Sequence, residues 1–171
     1  GSKGCGALYI SPRLKSFPAL LQGGGQESNF RSGTEGTPAI FSFAAACAVG
    51  AATMKADIAQ EKQLLNNLVQ ELSALNGIVV NGAHEAPHIL SLSVPGVPTQ
   101  NTINILQDHG ICVSAGSACA KGHRSHVLTA MTVDPARIDA SFRISLSRET
   151  TREELEELYH VIKDEILPRV R

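Results

Sequence analysis

The sequence predicts an α+β fold, a short mixed sheet with helices, preceded by a long connecting helix. Three observations carry that expectation. A helical pattern runs almost unbroken from Thr37-Pro38 to about Leu75. Beyond Gly77 the texture changes to short alternating runs separated by turn residues and single helices. With 171 residues, 43% hydrophobic and 18% charged, the chain can bury one real core, or one small domain plus part of another.

Taken in order, Ala7–Ile10 reads as a strand with no partner in the next stretch, so the chain reads as starting mid-fold. Ser11-Pro12-Arg13 turns out of it. Two glycine-rich segments follow, Gln22–Glu27 and Arg31–Pro38. Thr37 is a good N-cap and Pro38 a good first helical residue. The helix they start would be roughly 55 Å long if unbroken. Its first half, Ala39–Ala52, is apolar nearly all round and should be buried. Its second half carries Leu64, Leu65, Leu68, Leu72 and Leu75 at helical spacing, and Asn76-Gly77 ends it.

Ile78–Val80 reads as a strand and Asn81-Gly82 as a turn. In His88–Val94, Leu90, Leu92 and Val94 share one face, and Ser91 and Ser93 the other. A helix from Thr99 or Gln100 to His109, closed by Gly110, leads to a buried strand, Ile111–Val113. Ser125 caps a short helix from His126 to Met131. Phe142–Leu146 alternates strictly, with Phe142, Ile144 and Leu146 facing the core and Arg143 facing away. Thr150–Glu153 resembles a capping box, and the last helix buries Leu155, Leu158, Ile162 and Ile166 before Pro168.

Several function classes drop out on composition. A net charge of −1 with no basic stripe argues against nucleic acid. The apolar stretch at Ala39–Ala52 reads as too short and too alanine-rich to span a membrane, and no signal peptide opens the chain. Four cysteines do not make a disulfide scaffold in a chain of this size. Cys5, Cys47 and Cys112 lie among apolar residues and read as core, so a reducing, cytoplasmic setting is expected.

Chemistry concentrates at Val113–Gly122. Glycine, serine and alanine there favour neither helix nor strand, so the stretch from 114 to 124 reads as a mobile loop. It presents Cys119 near Lys121 and His123, cations that would raise the fraction of reactive thiolate. An unreactive surface thiol is the alternative. Cys112, Cys119, His123 and His126 are spaced unlike a structural zinc site, so no metal is assigned. Arg143, between serine-bearing positions on an open strand face, could clamp a carboxylate with two parallel hydrogen bonds; a solvated surface arginine is the alternative. Arg31, Ser32 and Thr34 supply donors suited to a phosphate, or else decorate a solvated linker. His84, His88, His109 and His160 show no partner pattern.

These segments together resemble a known family. Val113–Cys119 is similar to the Ser-Ser-Gly-Ser-Ala-Cys signature of cysteine desulfurases, fold-type I enzymes that use pyridoxal 5'-phosphate. Gly23–Gln26 with Arg31–Glu35, Lys3–Tyr9, Ser125–Leu128 and Phe142–Leu146 resemble four further family segments in the same order. The match favours the iron–sulfur-cluster and nitrogen-fixation branch. Ala115 and the pair Ala120-Lys121 depart mildly from the pattern.

The resemblance implies a remnant of the large cofactor-binding α/β domain at 1–36, a connecting helix or helices at 37–76, and a C-terminal small domain with the cysteine loop at 77–171. It implies that Cys119 takes sulfur from L-cysteine as a persulfide, leaving L-alanine, and passes it to a sulfur acceptor or an iron–sulfur scaffold protein. Arg143 would bind the substrate carboxylate. Thr34 would reach the cofactor phosphate across a homodimer interface. The family's Schiff-base lysine belongs to a Ser-x-His-Lys segment preceding the part matched here, so this chain alone is expected to be inactive. A non-catalytic sulfur carrier or interaction module, and a selenocysteine lyase-like enzyme, are the alternatives.

Overall fold

A computed structural model describes residues 3–14, 16–83, 85–115 and 124–170. The chain divides into two compact units, Gly1–Met54 and Lys55–Arg171, with the division inside one long helix, α1 (Thr37–Ser73). That helix begins one residue earlier than its sequence signal, since Ile40 N–H already donates to the Gly36 carbonyl at 3.1 Å. It ends shortly before Gly77, whose φ of 93° suits the left-handed turn that stops a helix.

In the second unit, β1 (Val79–Val80), β2 (Ile89–Ser93), β3 (Ser114–Ala115) and β4 (Ser141–Ser145) form one four-stranded sheet in the order β1-β2-β4-β3. Every pairing is antiparallel, where a mixed sheet was expected. The register sets Leu90 opposite Ile144 and Leu92 opposite Phe142. Those four side chains, with Val94 and Leu146, are buried on one face.

Against them pack Ile105 and Leu106 of α2 (Thr99–Asp108), Leu155 and Leu158 of α5 (Arg152–Val161), and Leu65, Leu68 and Leu72 from the second half of α1. Each such leucine contributes roughly 1.5–3 kcal/mol by leaving water. After α5 the chain winds more widely over Ile162–Ile166, which keeps Ile162 and Ile166 fully buried, and a tight turn at Leu167–Arg169 follows. Two short helices, α3 (His126–Ala130) and α4 (Pro135–Asp139), precede β4, each started by a side-chain cap from Ser125 or Asp134. The capping box on α5 is built by Thr151 and Glu154, one residue later than the sequence suggested, and the Thr150 hydroxyl accepts from Ser147 N–H instead.

Several expectations are corrected. Ala7–Ile10 is not a strand; Leu8 and Tyr9 are 73% and 83% exposed, and among the described residues no neighbouring strand offers a ladder. Ile111–Val113 is also unpaired. Ile111 and Val113 still lean on the core, and ladder pairing starts only at Ser114. The first half of α1 is not buried: Phe41, Val49 and Met54 are 76%, 55% and 59% exposed. The physical reason is the lack of a partner surface, since no described apolar residue before Leu65 is fully buried.

By length and composition α1 also qualifies as a bilayer-crossing helix, with an 18-residue window of mean hydropathy 1.5, contrary to the reading that its apolar stretch is too short. Cys5 is half-buried and Cys47 and Cys112 are exposed, so none of the three is a core residue.

Within the first unit, residues 16–36 fold back on themselves. Leu20 N–H donates to Phe30 C=O at 3.1 Å, Ser32 N–H to Leu21 C=O at 3.0 Å, and the Phe17 and Phe30 rings meet edge to face at 5.9 Å.

Candidate active site

β4 is an interior strand, flanked by β2 and β3, and its alternation decides where Arg143 goes. Phe142 and Ile144 take the core face, so the side chain between them must take the other. Arg143 is exposed, and no hydrogen bond or ion pair engages it among the described residues. Its ladder neighbours are Ser91 on β2 and Ser114 on β3. A hydroxyl, a guanidinium and a hydroxyl therefore lie in a row across three strands, with directly opposed Cβ atoms about 4.5–5.5 Å apart. That row matches the needs of a carboxylate: a planar double donor with further donors at its sides.

One end of this face is closed by α4. The Ser141 hydroxyl donates to Ile138 C=O at 2.7 Å and the Ser93 hydroxyl to Arg137 C=O at 2.8 Å. Arg137 Nη2 donates to Asn81 Oδ1 at 2.8 Å, and Asn81 Nδ2 donates to Ser93 Oγ at 2.8 Å and to Ser91 Oγ at 3.3 Å. Asn81 and Ser93 are buried, while the Nε of Arg137 is enclosed without a hydrogen-bond partner among the described residues. The sequence had Asn81 as a simple turn residue and no role for Arg137. The signal that was available is the placing of Ser91 and Ser93 on the same face as Arg143.

Cys119 lies outside the described residues, as do Lys121 and His123. The chain on either side is well tied. Ser114 and Ala115 pair with Arg143 and Phe142. Arg124 makes a two-pronged pair with Asp139, Nε to Oδ1 at 2.7 Å and Nη2 to Oδ2 at 2.6 Å. That bond pushes the Asp139 carboxyl below the usual carboxylate range, against a smaller opposing effect of desolvation, and raises Arg124 in turn.

Thr34 belongs to the first unit. It lies on a groove with Arg31, Gly33, Glu35 and Gly36, three residues before α1 begins. Its hydroxyl has no hydrogen-bond partner among the described residues. Gly33 sits at φ 122°, and a Cβ there would come within 2.7 Å of Arg31 Nη1, so glycine is what lets the Arg31 side chain fold over its own backbone. Gly33 N–H donates to Gln26 Oε1 at 3.2 Å, and Arg31 Nη1 to Ser32 C=O at 2.9 Å.

Among the described residues no three His, Cys, Asp or Glu side chains gather as metal ligands. Two histidines read as unpartnered do have partners: His109 Nε2 lies 2.7 Å from Glu165, and His160 Nδ1 3.7 Å from Asp164.

The model of the aminotransferase class-V family matches residues 1–158, a span that takes in all of α1. A mitochondrial cysteine desulfurase of Arabidopsis thaliana is 37% identical over 163 residues, covering 91% of this chain and 35% of the relative. A cysteine desulfurase IscS of Pseudomonas putida is 38% identical over 162 residues, covering 91% of this chain and 39% of the relative. The X-ray structure of a NifS-like protein from Rickettsia africae superposes with a TM-score of 0.73 at 30% identity, covering 87% of this chain and 40% of that one. The chain thus spans well under half the length of these relatives. Sequence and fold agree over nearly all of it, and it belongs to the aminotransferase class-V family.

Proposed function

We propose that this chain is the C-terminal part of a cysteine desulfurase, in which Cys119 takes the sulfur of L-cysteine and passes it on. The observation that carries the reading is the unengaged Arg143 on the open face of an interior strand, paired in the ladder with the strand that leads into the Cys119 segment. An arginine so placed is free to hold a substrate carboxylate, its planar fork matching the two carboxylate oxygens. Relatives named as cysteine desulfurases support the substrate class.

The residues present fit pyridoxal 5'-phosphate as far as they reach. Thr34 offers an unspent hydroxyl beside a glycine-bearing turn, just ahead of the N-terminus of a long helix, where the helix dipole favours an anion. When bound, the cofactor supplies an electron sink at the amino-acid carbon. This chain's own residues do the rest. Arg143 fixes the carboxylate and so orients the substrate thiol. The Cys119 thiolate attacks that sulfur; an S–S bond forms, the substrate C–S bond breaks, and the carbon takes up a proton to leave L-alanine. An acceptor thiolate, such as that of an iron–sulfur scaffold protein, then attacks the outer sulfur of the Cys119 persulfide; a new S–S bond forms, the old one breaks, and Cys119 leaves as a thiolate.

In this reading Thr34 acts across a homodimer interface, which the exposed Phe41, Val49 and Met54 support as apolar surface awaiting cover. The three described cysteines are free thiols, in keeping with a reducing compartment, here the cytoplasm.

The test uses the full-length, cofactor-loaded polypeptide. With L-cysteine it should yield L-alanine and a mass gain of one sulfur atom on the peptide bearing Cys119, and Cys119→Ala should abolish both. Sulfur labelling of Cys119 from a persulfide donor, with no alanine formed from L-cysteine, would replace the reading with a sulfur carrier.

A further inference from the structure

We infer that Ser91 is a second binding residue for the substrate carboxylate, its hydroxyl held ready by Asn81 and Arg137. The inference deepens the proposed function and rests on the reading of Arg143 as the carboxylate clamp. It follows from counting donors around one ring of hydrogen bonds. Arg137 Nη2 bonds Asn81 Oδ1 at 2.8 Å, which fixes the amide: its oxygen faces the guanidinium and its NH2 faces the two serines. That NH2 donates to Ser93 Oγ and to Ser91 Oγ.

Ser93 then spends its own proton on Arg137 C=O, which closes the ring. Ser91 accepts from Asn81 in the same way, but its proton goes to no acceptor among the described residues. The ring leaves one O–H unspent. That O–H sits directly across the ladder from Arg143, on the same sheet face, and Ser91 is only half-buried. An oriented hydroxyl beside a free guanidinium is the donor set for a carboxylate, with Arg143 supplying charge and Ser91 a neutral hydrogen bond.

Asn81 and Arg137 are positioning residues in this scheme. Asn81 also ties the chain after β1 to β2 through its N–H to Ser91 C=O at 2.8 Å, so the hydroxyl and its support move as one piece. An amide that donates to the Ser91 oxygen also polarises its O–H toward a ligand.

The experiment uses the full-length, cofactor-loaded enzyme with two ligands: L-cysteine, and cysteamine, the same aminothiol without the carboxylate. Ser91→Ala should raise KM for L-cysteine about tenfold, the weight of one hydrogen bond to a charged group, with kcat changed less than about twofold. Cysteamine binding should not change, and Ser91→Thr, which keeps the hydroxyl, should restore KM. Asn81→Asp removes the donated hydrogen bond and makes the Ser91 hydroxyl donate to residue 81; it should raise KM in the same direction.

Equal weakening of both ligands by Ser91→Ala, or an unchanged KM for L-cysteine, overturns the inference. An Arg143→Ala arm separates the two levels. If it raises KM and Ser91→Ala does not, Ser91 alone is dismissed. If Arg143→Ala leaves KM unchanged, the carboxylate reading itself falls.

Discussion

Arg143 and Asp139 lie close in sequence and do opposite things with charge. Asp139 spends its charge on Arg124, in a geometry that is both short and two-pronged. The consequence for pH has a definite sign. A carboxyl whose folded pKa is depressed contributes stability that is complete above its unfolded pKa, and that contribution disappears as pH falls through the lower, folded value. Arg124→Ala should therefore move the Asp139 titration upward, toward the ordinary carboxylate range, in an NMR pH series. Both side chains are solvent-accessible, so the effect on overall stability should be small. Arg143, by contrast, keeps its charge free. Arg143→Lys preserves that charge but loses the planar fork, so KM for L-cysteine should rise while the melting temperature stays put. The sequence made the outward face of Arg143 legible because strand alternation is a local rule. It did not reveal the Arg137–Asn81–Ser93 ring that supports Ser91, in which Arg137 and Asn81 are brought together from 56 positions apart.

At the level of elements, the well-determined pieces are those whose signals are local. Ser125 and Asp134 cap α3 and α4 by short side-chain bonds, and Thr151 with Glu154 forms a reciprocal box at the start of α5. Thr151→Ala should cost about 1 kcal/mol in chemical denaturation, while Thr150→Ala, which loses a turn bond only, should cost less. Phe142 is 1% exposed in the middle of the sheet, so Phe142→Ala should cost about 3–5 kcal/mol by the same measurement. The expectations that failed concern strands at Ala7–Ile10 and Ile111–Val113. An apolar run marks what is fit to pair, but pairing needs a neighbour, and the neighbour is not written in the run itself. The cysteines failed for a related reason: an apolar sequence neighbourhood says nothing of what covers it in space.

On the scale of the molecule, burial is unevenly shared. All the fully buried apolar side chains among the described residues lie between Leu65 and Ile166. Hydrogen exchange on the 171-residue chain should find slow amides in β2, β4, α2 and α5, and fast ones through residues 3–14 and 16–36. Equal protection in both would mean that the first unit holds a core of its own. The class of fold was readable because the helix-to-sheet change at Gly77 is a change of period. The exposure of the first half of α1 was not readable, because the same apolar pattern serves a helix buried at once and a helix that waits for its cover. Family membership also settles what composition left ambiguous there: the matched span runs through the helix, so this apolar stretch is part of the family's shared fold.

The parity of β4 has one more consequence. Odd positions in Phe142–Leu146 and even ones do different jobs, and a slip of one residue exchanges them. A mispaired strand would bury a guanidinium and expose a phenylalanine in the same stroke. In the proposed reading of Arg143, folding fidelity and carboxylate binding are thus tied to a single event, the seating of Phe142 against Leu92. A strand slipped by one residue would lose the Phe142 packing and, in that reading, the carboxylate clamp together.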